Sequence, residues 1–85
     1  MNFKSYRENS KTIEEHLVYA EERGVILVAK VGAQNCLLIR DANYPNRVGA
    51  YSYNGENISE TCTNNGFRGW TLVGEIDLQP ELSQL

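Results

Sequence analysis

The chain has 85 residues, of which 8 are basic and 11 acidic, giving a formal charge of −3; 41% are hydrophobic and 22% charged. A chain of this size buries only about 60% of its unfolded surface, so residues 1–85 read as a single domain, because two halves would each lack a core. The balance excludes a disordered, apolar-poor chain, and its acidity argues against nonspecific duplex binding, which needs a broad basic surface.

Residues 1–11 hold three basic groups and little apolar content beyond Phe3 and Tyr6, which predicts a mobile arm. A helix is expected over 13–23. Thr12 and Glu15 have the spacing of a capping box, Glu14 and Glu15 suit the positive end of the helix, and Gly24 supplies a stop. Ile13, Leu17 and Ala20 form its buried stripe, leaving Glu14, Glu15, Glu22 and Arg23 to water.

The period then becomes extended. Val25–Val31 is β-branched and apolar on both faces, as in a central strand. Gly32-Ala33-Gln34-Asn35 reads as a turn into a second strand, Cys36–Arg40, and residues 41–46 form a loop in which Pro45 blocks continuation. Val48–Tyr53 is a third strand. Asn54-Gly55 favours a type I′ turn, with Ile58–Thr63 returning as the hairpin partner. After a loop at 64–69, Trp70, Leu72, Gly74, Ile76 and Leu78 alternate with Thr71, Val73, Glu75 and Asp77 as a half-buried strand. Pro80 ends it and 79–85 reads as a loose tail. Gly49 and Gly74, inside strands, mark bulges or close backbone approach.

The expected fold is therefore α+β: one N-terminal helix followed by a five-stranded antiparallel meander, strongly curved or closed as a small SH3-like barrel. The longest apolar run, Val25–Ala29, has five residues, against about 20 for a membrane helix and about 7 to 15 for a signal-peptide core. No membrane association and a cytoplasmic location follow as expectations. There a Cys36–Cys62 disulfide is not expected, and the two thiols read as core filler.

Catalytic supply is thin. One histidine, His16, and two cysteines 26 positions apart lack metal-ligand or redox spacing, so neither metal nor cofactor is expected. Glu75 and Asp77 share a strand face, more simply read as a solvated surface than as an acid/base pair. No phosphate-loop, dinucleotide or zinc-protease motif occurs. The chain reads as a non-enzyme.

Charge is segregated. Residues 1–23 sum to −1 (4 basic, 5 acidic), 24–55 to +2 (3 basic, 1 acidic) and 56–85 to −4 (1 basic, 5 acidic). Tyr51 and Tyr53, two apart, should project from one strand face, with Arg40 and Arg47 nearby, while Phe67 and Arg68 sit on a glycine-flanked loop where Phe67 either is exposed or folds back on Trp70. Tyrosine and arginine are enriched at interface cores, and stacked aromatics beside arginine also hold unpaired bases. Arg40, Arg47, Tyr51, Tyr53, Phe67 and Arg68 are thus the candidate contact residues. The favoured reading is a noncatalytic protein-binding module that engages a protein partner or self-associates as a homodimer. In size and charge it resembles acidic accessory or inhibitor proteins of phages and mobile elements. The alternative is a small-barrel binder of single-stranded nucleic acid.

Overall fold

The computed structural model describes residues 2–6 and 13–77, apart from the Asn2 side chain. The expected cap residue Thr12, most of the expected arm and the tail at 79–85 lie outside the described residues. The elements are β1 (Asn2–Ser5), α1 (Ile13–Arg23), β2 (Ile26–Val31), β3 (Gln34–Arg40), β4 (Arg47–Tyr51), β5 (Asn57–Cys62), a short 3-10 turn (Thr63–Asn65) and β6 (Trp70–Asp77).

The fold is α+β, with one α-helix among the described residues against a six-stranded antiparallel sheet ordered β1-β6-β2-β3-β4-β5. Two expectations are corrected. Part of the arm, Asn2–Ser5, is a sixth strand paired with β6 from Asn2↔Asp77 to Ser5↔Gly74. The sheet is also not closed into a barrel, because β1 and β5 remain edges at its opposite ends. The meander runs only from β2 to β5; β6 then crosses back to the far side of β2.

Local chemistry sets these boundaries. Gly24, at φ 74°, follows α1; its N–H donates to the Glu21 carbonyl, and the Val25 N–H to that of Ala20. This pair of bonds closes the helix as a Schellman motif. The expected β4–β5 turn is corrected. Ser52 N–H donates to the Glu56 carbonyl and Gly55 N–H to that of Ser52, with positive φ at Gly55 but not at Asn54. The connection is a three-residue loop, not a type I′ pair. Ser52 Oγ helps select it by bonding Asn54 Oδ1 and accepting the Glu56 N–H.

The core lies on one sheet face, beneath α1 and the 63–69 loop. Leu17 and Ala20 from the helix meet Leu27, Ala29, Cys36, Leu38, Val48, Ala50, Phe67 and Leu72. Both cysteines are free thiols. The β6 register contains one surprise: Val28 pairs with Gly74 but Ala29 with Leu72, leaving Val73 as an extra residue. A bulge of this kind shifts the face of everything beyond it. Leu72 and Glu75 therefore both turn toward the helix, whereas the even period of the sequence places them on opposite faces.

Candidate functional site

With α1 and the 63–69 loop on one face, no described element packs on the other. Strand alternation and register bring Phe3, Ile76, Ile26 and Ile39 into a row across β1, β6, β2 and β3 on that second face, with Val28, Leu37 and Tyr51 beside it. Ile76 within the row is 5% exposed and Val28 beside it 0%, whereas Phe3 at 49% and Ile39 at 43% are open. Exposed Lys30 and Arg47 flank it. Tyr51 lies over Gly49, where an added Cβ would stand 2.7 Å from the ring. A side chain at 49 would have to displace this aromatic.

The six sequence-selected residues do not converge. Arg40 reaches the helix side, donating to Glu21 through Nε at 2.9 Å and Nη2 at 3.3 Å, and to the Pro45 carbonyl. Arg47 packs over the Tyr44 ring at 5.4 Å on the other side of the sheet. Tyr51 is the last residue of β4, so Tyr53 falls in the loop, 60% exposed, and shares no strand face with it. Phe67 corrects the exposed reading. It is only 3% exposed and its ring meets Trp70 at a centroid distance of 5.7 Å, although its backbone takes φ 57°, a conformation unusual for a bulky residue. Arg68 is exposed on the loop.

A second constellation was not anticipated from the sequence. Glu75, which reads there as solvated, is 7% exposed. Arg23 grips its carboxylate from α1 through Nη2 at 2.8 Å and Nη1 at 3.1 Å, and the Tyr6 hydroxyl donates to it at 2.5 Å. Hydrogen bonding to Arg23 holds the Glu75 carboxyl below its usual range, against the opposing effect of burial, and the Tyr6 bond adds to it. Burial and the adjacent carboxylate push the Tyr6 hydroxyl up to about 12. The half-buried His16 ring stacks 5.0 Å from Tyr6, and Arg23 also covers Tyr19 at 4.4 Å. Chemically this is a satisfied ion pair with a tyrosine donor, joining α1, β6 and the segment after β1. Glu75 and Tyr6 are 69 positions apart; Gly74 signals a bulge or close backbone approach, but not that the extra residue at Val73 turns Glu75 inward.

Among the described residues, no group of three or more His, Cys, Asp or Glu side chains could hold a metal ion, and no helix is long and apolar enough to cross a membrane. No family model matches the chain, and neither a curated protein nor a solved structure matches it.

Proposed function

We propose that this protein is a small noncatalytic binding module of the accessory or inhibitor type, docking a protein partner on the sheet face opposite α1. The observation that carries this reading is the apolar row ending in exposed Phe3 and Ile39. Phe3 and Ile39 stand exposed at the two ends of the row on a face that no described element covers, with Lys30 and Arg47 beside them, and apolar groups left open in this way support an interaction surface.

The test is a crosslinking capture from cells that encode the protein. Wild type should recover a specific partner that the Phe3→Ser, Ile39→Ser double variant loses and Tyr53→Ser retains. Identical protein sets from wild type and the double variant would refute the assignment.

The nucleic-acid alternative needs Arg40, Arg47, Arg68, Tyr51, Tyr53 and Phe67 on one surface. The Glu21 ion pair of Arg40 and the burial of Phe67 divide that set. Fluorescence anisotropy with a short single strand checks it, salt-sensitive saturable binding being the result in its favour.

A further inference from the structure

Charged side chains divide between the two sides of the sheet. On strands β1 to β4 and β6, the positions of the outer face, which looks away from α1, hold two charged residues, Lys30 and Arg47. Lys30 stands two residues beyond Val28 on β2, and Arg47 two residues before Gly49, the β4 partner of Ile39. Each cation thus lies about 7 Å along its strand from the apolar band that holds Val28 and Ile39, on opposite sides of that band. Both are exposed, and neither is ion-paired among the described residues; Arg47 meets the Tyr44 ring. Asp41, in the loop after β3, accepts the Asn43 and Tyr44 N–H groups, and Glu60 stands on the edge strand β5.

The exposed surface of α1 is the converse. At 100° per residue, Glu14, Val18, Glu22 and Tyr19 spread over the arc opposite the buried Leu17 and Ala20. Val18 is 44% and Tyr19 56% exposed, with Glu14 and Glu22 exposed beside them. Arg23, on the same helix, and Arg40, on β3, are held by Glu75 and Glu21. One side of the molecule therefore carries apolar side chains edged by carboxylates, and the other an apolar band edged by cations.

Resting on the protein-binding reading above and naming its partner, we propose that the partner is a second copy of this chain, with α1 of one protomer laid on the outer face of the next. Val18 and Tyr19 then cover apolar side chains of that face, and Glu14 and Glu22 meet Lys30 and Arg47 of the neighbouring copy. Because the complementary surfaces lie on opposite sides of one molecule, the contact is heterologous. Each protomer offers its helix to one neighbour and its sheet to another, so assembly continues beyond a dimer. The formal charge of −3 does not prevent this at about 0.15 M salt, where exposed charges farther apart than about 8 Å are largely screened and contacting pairs much less so.

Sedimentation of the reduced full chain at about 1 mM protein and about 0.15 M salt tests the proposal. The weight-average mass should rise about twofold over the monomer for a dissociation constant of about 1 mM, without levelling at the dimer. Lys30→Glu, Arg47→Glu and, separately, Glu14→Lys, Glu22→Lys should each give monomers. Their equimolar mixture should recover the wild-type increase, because each reversed surface again meets its opposite. Arg68→Glu, which adds negative charge on the 63–69 loop instead, should associate like wild type. A monomeric wild type, a mass that levels at the dimer, a mixture that stays monomeric, or loss of association in Arg68→Glu as well would overturn the proposal. A monomeric wild type that still captures a different protein through Phe3 and Ile39 removes self-association and leaves the binding reading. Association restored by the mixture, where capture from cells recovers only this chain, upholds the self-contact and removes the accessory or inhibitor role.

Discussion

Glu75 is the residue on which acid and base behaviour turns. Its folded pKa is depressed, chiefly by the Arg23 hydrogen bonds, so the carboxylate contributes stability that is fully present above the unfolded value and lost as pH falls through the lower folded one. Tyr6 acts at the other extreme. Its folded pKa is raised from 10.0 to about 12, so its contribution holds below the unfolded value and is lost as pH rises through the folded one. Urea unfolding against pH should show both limbs. Glu75→Gln should cost about 1 to 2 kcal/mol near neutrality, with the gap to wild type closing in acid, and Tyr6→Phe should flatten the alkaline limb. A neutral-pH midpoint unchanged by Glu75→Gln would mean that the ion pair contributes nothing net. The cysteines give a separate check. Cys36 is fully buried and burial raises its thiol pKa, whereas Cys62 is half-buried beside Arg47 and Asn65. A thiol reagent should modify Cys62 in the folded protein and Cys36 only on the timescale of unfolding.

Among the elements, β1 depends on a missing side chain. A Cβ at Gly74 would overlap the Lys4 carbonyl and crowd the Ser5 Cα, so Gly74→Ala should displace β1 at a cost of about 2 kcal/mol. Fast hydrogen exchange confined to β1 amides is the expected signature; uniform protection would show that the strand adjusts without loss. The same element explains what the sequence revealed and what it hid. α1 was legible to its ends because its stripe and Gly24 stop are local signals, and the cores of β2 to β6 followed from β-branched runs and turn residues. Asn2–Ser5 offers one apolar residue in four, too little pattern to distinguish a strand from an arm. Its pairing is instead set by a glycine more than 60 positions away. The β4–β5 loop was misread because the Ser52 side chain bonds the turn locally and shifts it by a residue.

For the whole molecule, Gly74 marks a bulge or close approach within Trp70 to Leu78, but the alternation alone does not say that the extra residue is Val73, so the inward turn of Glu75 was not legible. Nor was the division of the candidate contacts, since Arg40 and Arg47 take opposite sides of the sheet and β4 ends before Tyr53. What remains is a two-sided design. One face is closed by α1 and the 63–69 loop, while the other presents apolar side chains whose proposed role is adhesion to another protein.

The position of β6 also bears on biosynthesis. A ribosome delivers α1 and the β2–β5 meander before Trp70–Asp77 emerges, so β2 must wait with an unclaimed flank and β1 has no neighbour to join. In the finished sheet this segment lies between β1 and β2 and joins them. The sheet's continuity from β1 to β5 therefore rests on the strand that comes last in sequence, so losing β6 would separate β1 from every other strand.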